Sequence, residues 1–111
     1  MIIGFRSKKL QKLCCSSKQM KSELGKPNAN KLQQRLAELA AVDNLGDLRF
    51  LPGLRCHELV GDRRGQLVVD LVHPYRLVFI PEHNPIPQKP DGGLDWEKVK
   101  RIQIVEVTDY H

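Results

Sequence analysis

With 111 residues, 41% of them hydrophobic, the chain has the size of one folded domain with a single core. Its apolar runs are only a few residues long and no apolar leader opens it, so the reading excludes a transmembrane helix or secretory signal and places the protein in the cytoplasm. The net charge of +5 is uneven: residues 1–35 carry nine Lys or Arg against the single Glu23, and residues 36–111 carry nine against twelve acids. Such a basic end suits a polyanion or an acidic partner, although a solvated pair of helices produces the same pattern.

In chain order, Met1 to Phe5 is short, apolar and β-prone, and predicts a first strand. Ser7 is placed to cap a helix. Leu10, Leu13, Cys14, Ser17, Met20 and Leu24 then fall at helical spacing, with Gly25 and Pro27 as the stop, predicting one helix from Lys8 to Leu24. A second helix is expected from Asn28 to Val42, burying Leu32, Leu36 and Leu39. After a polar connection from Asp43 to Gly53 the pattern changes to strands: Leu54 to Val60, the turn Gly61-Asp62-Arg63-Arg64-Gly65, Gln66 to Val72, and Tyr75 to Ile80. The connections are too short for crossover helices, so these strands form an antiparallel meander.

Residues 81–98 read as a loop inserted before the last strand, its core Pro81 to Trp96 holding four prolines and a Gly-Gly pair. Lys100 to His111 then alternates Ile102, Ile104 and Glu106 with Gln103, Val105 and Val107, and delivers Asp109, Tyr110 and His111 at its end. The whole is a single α+β domain, residues 1–111, with two helices in the N-terminal half packed on a mainly antiparallel sheet of about five strands.

Cys14, Cys15 and Cys56 make no disulfide framework and no C-x-x-C pair, and Cys56 reads as a small core residue. His57, His73, His83 and His111 have no close helical pairing, so neither a metal nor any other cofactor is implied; phosphate-loop, dinucleotide and nucleophile-elbow motifs are missing as well. Cys56 and His57 are adjacent on a strand and point to opposite faces, which rules them out as a nucleophile and its base. The remaining chemistry lies on the meander. His57 is on one strand, Arg63 and Arg64 in the next turn, Arg76 on a later strand, and Asp109, Tyr110 and His111 at the end of the last. Cross-strand neighbours on one face lie about 5 Å apart, so these groups can share a surface. Two imidazoles, an arginine and a phenol suit RNA cleavage by internal transesterification, which needs a base for the 2′-hydroxyl, positive charge for the phosphorane and an acid for the leaving 5′-oxygen. Each also has a structural alternative: Arg76 pairing with Glu58, Glu106 or Asp109 across the sheet, or Tyr110 plugging a core edge.

Leu48-Arg49, Pro52-Gly53, Arg55, the run His57-Glu58-Leu59-Val60-Gly61-Asp62-Arg63-Arg64-Gly65-Gln66, Tyr75-Arg76-Leu77-Val78-Phe79 and the terminus Val105 to His111 together resemble the HigB branch of the RelE-like toxins. These are the killer proteins of plasmid-maintenance toxin-antitoxin modules. The resemblance is close over the C-terminal half and in pattern only over the helical half. It implies a RelE-like fold and a metal-independent endoribonuclease that cuts mRNA in the ribosomal A site without a cofactor. It also implies a cognate helix-turn-helix antitoxin of the HigA type as partner, and no membrane. Carried over by position, His57, Arg76, Asp109, Tyr110 and His111 are the expected catalytic residues. Arg63, Arg64, Lys8, Lys9 and Lys12 then become expected contacts to mRNA and ribosomal RNA phosphates. Two departures stand out: Val60 replaces a lysine frequent in the family, and the 81–98 loop is longer than a short hairpin. The first leaves Arg63, Arg64 or Arg76 to supply the phosphate charge, or else marks a catalytically weakened protein that acts as a non-enzymatic partner-binding and nucleic-acid-binding module.

Overall fold

The computed structural model describes residues 1–109; Tyr110 and His111 lie outside the described residues. The chain is α+β. Five strands, β1 (Ile2–Phe5), β2 (His57–Glu58), β3 (Leu67–Asp70), β4 (Arg76–Pro81) and β5 (Arg101–Thr108), form one sheet in the order β1-β5-β4-β3-β2. β1 runs parallel to β5 and the other pairings are antiparallel. Against one face pack three α-helices, α1 (Lys8–Cys15), α2 (Ser17–Leu24) and α3 (Lys26–Ala41).

Where one helix was expected between Lys8 and Leu24, the chain breaks at Ser16, whose φ of −127° and ψ of 110° are extended. The hydroxyl of Ser16 accepts from the Gln19 amide, so the serine caps α2 instead of continuing α1. Gly25, at φ 81°, ends α2 in a conformation open to glycine and at the same time precedes α3. Pro27 is therefore not a stop. It lies in the first turn of α3, where its missing N–H costs nothing.

The core joins Leu13 and Cys14 of α1, Met20 of α2, and Ala29, Leu32 and Leu39 of α3 to Leu67, Val69, Leu77, Phe79, Ile102 and Ile104 of the sheet. The expected strand from Leu54 to Val60 shrinks to His57–Glu58, because Arg55 takes a left-handed φ of 54° that no regular strand contains. The polar connection 43–53 forms a 3-10 turn at Leu45–Phe50 that buries Leu45 and Leu48. Pro81 belongs to β4, opposite Ile102, so the inserted loop begins at Glu82. It is more ordered than its prolines suggest. Gln88 and Leu94 bridge antiparallel, Lys89 N–H donates to Gly93 O, and a second 3-10 turn at Trp96–Lys98 buries the indole of Trp96 with its Nε1 3.0 Å from Glu58 Oε2.

β5 does not alternate along its whole length. Its register with β4 shifts between Val78 and Phe79: Phe79 faces Ile104, but Val78 faces Glu106, leaving Val105 as the extra residue of a bulge. Strict alternation puts Glu106 on the core side with Ile102 and Ile104. The bulge instead turns Glu106 outward and packs Val107 against the core.

Candidate functional site

Side chains paired directly across strands project to the same face. The register His57–Val68–Val78–Glu106 therefore makes one row on the outer face of the sheet, away from the helices. Two residues along each strand, Asp70–Arg76–Thr108 makes a second row. Val68 and Val78 are fully buried yet belong to no helix-side cluster, so this outer face is not bare. Across it Arg63 reaches from the connection between β2 and β3 to β5, where its Nη1 lies 2.6 Å from Glu106 Oε1 and 3.0 Å from Gln66 Oε1.

The second row carries the denser charge. Asp70 sits between two guanidiniums, with Oδ2 3.5 Å from Arg55 Nε and Oδ1 3.7 Å from Arg76 Nε. Arg55, Asp70, His73, Tyr75 and Arg76 line a cavity of about 120 Å³. Thr108, the partner of Arg76, is the last residue of β5, so the chain leaves the sheet beside this cavity with Asp109 exposed. Among the described residues no three His, Cys, Asp or Glu side chains gather closely enough to hold a metal ion.

The sheet holds Asp70 in place from behind. Arg35 of α3 is 4% exposed, and it donates through Nε to the backbone carbonyl of Asp70 and through Nη2 to that of Gly53, both at 2.8 Å, while Nη1 meets Glu38 Oε1 at 2.8 Å. Buried charge is tolerable here because each of the three guanidinium nitrogens finds an acceptor. One helix residue thus fixes the end of β3 and the segment leading to Arg55.

The expected site residues fall into three groups. His57, Arg63 and Arg76 share the outer face; His57 is exposed on the edge strand with Nδ1 2.9 Å from Arg55 O. By strand spacing and rise, the Cα atoms of His57 and Arg76 lie on the order of 12 Å apart, a span that one phosphodiester and two long side chains bridge. Arg64 is separated from Arg63: it lines another cleft of about 280 Å³, with Glu58, Ile86 and Gln88 under the inserted loop. Lys8, Lys9 and Lys12 belong to α1, on the helix side of the sheet, and do not extend the surface of His57 and Arg76. Asp109 is exposed one residue beyond the Arg76 row, and the expectations for Tyr110 and His111 lie outside the described residues.

Arg55, Asp70, His73 and Tyr75 are what sequence reasoning missed. Arg55 reads as part of an expected strand and as one of the residues that carry the resemblance, with no role at the site, and the closeness of Asp70 to Arg76 follows from the register of β3 and β4. Cys14 and Cys56 take no part: burial pushes both thiols up to about 12, for Cys56 against the opposing pull of Arg49, so both stay protonated. His83 is structural, its Nε2 accepting from the amides of Lys100 and Arg101. No protein-family model matches the chain, and no curated protein matches it.

Proposed function

We propose that the chain is a RelE-like toxin of a type II toxin-antitoxin module, a metal-independent endoribonuclease that cuts mRNA on the ribosome in the cytoplasm. The observation that carries this reading is the row Asp70–Arg76–Thr108, which sets an arginine beside the end of the strand that delivers Asp109, with Arg55 next to it and His57 one row away. In the proposed reaction the 2′-oxygen attacks the neighbouring phosphorus and the 5′-oxygen leaves, giving a 2′,3′-cyclic phosphate and a 5′-hydroxyl. His57 takes the 2′-hydroxyl proton, Arg76 and Arg55 balance the extra charge of the phosphorane, and His111 protonates the departing oxygen. Asp109 and Tyr110 orient catalyst and RNA. A helix-turn-helix antitoxin of the HigA type holds the toxin inactive, and no membrane is involved.

The test is induction of the chain alone in growing cells, with primer extension on a reporter mRNA. Growth arrest with new mRNA ends that disappear in Arg76→Ala and His57→Ala supports the reading. Full toxicity in a soluble Arg76→Ala variant removes the role given to Arg76.

A second reading has its own observation. Val60, where the family often has lysine, is 85% exposed, so the charge it lacks is lost from the surface. In that reading the chain keeps the fold but acts as a non-enzymatic module that binds a partner and nucleic acid. Salt-sensitive nucleic-acid binding without new mRNA ends is its signature.

A further inference from the structure

β2 is an edge strand of the sheet, and its two residues look opposite ways. His57 pairs with Val68 and joins the outer face, whereas Glu58 pairs with Leu67, a core residue on the helix side. Their Cα atoms are about 3.8 Å apart. Around this one edge the outer face passes into the cleft of about 280 Å³ under the inserted loop.

That cleft combines apolar surface with two opposite charges. Pro81, Ile86 and Leu94 supply the apolar part, and Ile86 stays 49% exposed there. Glu58, Arg64 and Gln88 supply the polar part. The carboxylate of Glu58 is held, because its Oε2 accepts from the Nε1 of buried Trp96 at 3.0 Å. Its other oxygen makes no hydrogen bond among the described residues, and the Arg64 guanidinium has neither an ion-pair nor a hydrogen-bond partner there. The two charges line one cleft without meeting, which leaves room between them for a group that satisfies both.

We propose that this cleft binds a guanine base, that of the nucleotide whose 2′-hydroxyl meets His57, so that the protein cuts RNA after guanosine. The position of the base rests on the nuclease reading, and the choice of base on the cleft. Guanine alone among the four RNA bases sets two neighbouring donors, N1–H and N2–H, beside two acceptors, O6 and N7. A carboxylate accepts from the first pair, and a guanidinium donates bidentately to the second. Adenine and cytosine carry a ring-nitrogen acceptor where guanine has N1–H, and would turn it on the Glu58 carboxylate. Uracil has one ring N–H flanked by two acceptors. Each mismatch leaves a polar group without its partner. The flat ring lies against Ile86 and Leu94, and the cleft is smaller than the roughly 300–1,000 Å³ of a drug-sized site, which suits a single base.

The test titrates the full chain with guanosine 3′-monophosphate and with the 3′-monophosphates of adenosine, cytidine and uridine, read by fluorescence and calorimetry. Trp96 is the only tryptophan of the chain and its indole bonds Glu58, so its emission reports this cleft. The guanosine nucleotide should bind roughly tenfold tighter than the other three, or better. It should also bind tighter than guanosine 5′-monophosphate, whose phosphate leaves the ribose on the side away from the 2′-hydroxyl. Arg64→Ala and Glu58→Gln should each remove the preference while far-UV circular dichroism stays native, since both residues are exposed and glutamine keeps an oxygen for the Trp96 indole. In growing cells the new mRNA ends should follow guanosines. Equal binding of the four nucleotides, no binding, a preference that survives both substitutions, tighter binding of the 5′-monophosphate, or mRNA ends that ignore guanosine overturns the proposal even where the chain cuts RNA. A guanine preference in a chain that leaves mRNA intact keeps the cleft as a guanine site and removes the nuclease reading instead.

Discussion

The Arg63 guanidinium meets Glu106 2.6 Å away on the outer face of the sheet only because the bulge at Val105 re-phases β5. That assignment can be tested by deleting one residue. Removing Val105 lets Phe79 and Val78 face Ile104 and Glu106 in regular register, with Glu106 still outward and Val107 still inward. The expected result is a folded variant destabilised by no more than about 2 kcal/mol in urea titration. If β5 were an unbroken alternating strand, the same deletion would reverse the facing of every side chain after Ile104, and the variant would fail to fold.

Much of the fold was legible from residue pattern. The β1 run, the helical spacing of Leu10, Leu13, Met20 and Leu32, and the meander all correspond to observed elements. The misreadings have local causes. Ser16-x-x-Gln19 is a capping signature that outranked the continuing periodicity across the Ser16 break. Arg55 at positive φ and the Val105 bulge depend on tertiary packing and leave no periodic trace. Of the candidate site, the residue types were legible but their grouping was not. Asp70 meets Arg76 through strand register, and adjacent Arg63 and Arg64 diverge at the 3-10 turn Gly61–Arg63, Arg63 to Glu106 on β5 and Arg64 to the cleft under the inserted loop.

Asp70 occupies the space between Arg55 and Arg76, so its carboxylate competes with any phosphate that binds there. Asp70→Asn is expected to change stability by about 1 kcal/mol or less, because all three side chains are partly exposed. It should tighten binding of a short single-stranded RNA at low salt. Arg76→Ala should weaken that binding and reduce the slope of log affinity against log salt by roughly 0.7. Fluorescence anisotropy across a salt series measures both. Unchanged affinity in Asp70→Asn would place the RNA away from this row.

The α-ammonium of Met1 donates to the carbonyls of Leu39 at 3.1 Å, Ala40 at 3.0 Å and Val42, at the C-terminal end of α3. These are carbonyls left without helical donors, at the negative end of the helix dipole. Acetylating the amine removes the charge and two of its donors, and is expected to cost about 1–2 kcal/mol. Urea denaturation of the acetylated and free chains measures the difference. Equal midpoints would mean that the ammonium is solvated instead.

Burial raises the Cys14 and Cys56 thiols from 9.0 to about 12, whereas Cys15 is exposed. Between those values the unfolded chain has released protons that the folded chain still holds, so stability falls as pH rises above about 9. In a Cys14→Ala/Cys56→Ala variant that alkaline loss should shrink. A thiol reagent at neutral pH is expected to modify exposed Cys15 first in the native protein, half-buried Cys56 more slowly and buried Cys14 only after unfolding. Native labelling of Cys14 as fast as that of Cys15 would show that the α1 thiol is not sealed in the core.

Arg35 gives the sharpest stability test, since one 4%-exposed guanidinium serves the carbonyls of Asp70 and Gly53 and the carboxylate of Glu38. Arg35→Met matches much of the side chain's length but leaves two backbone acceptors and one carboxylate without their donor. The expected cost is about 2–4 kcal/mol in urea titration. Arg35→Lys keeps the charge but lacks the planar fork that reaches three acceptors, so it should recover only part of that loss. The same contacts brace Asp70 and the chain before Arg55, so both variants should weaken RNA binding at temperatures where they remain fully folded. A loss below about 1 kcal/mol in Arg35→Met would mean that water replaces the guanidinium at these carbonyls, and that α3 does not brace the charged row.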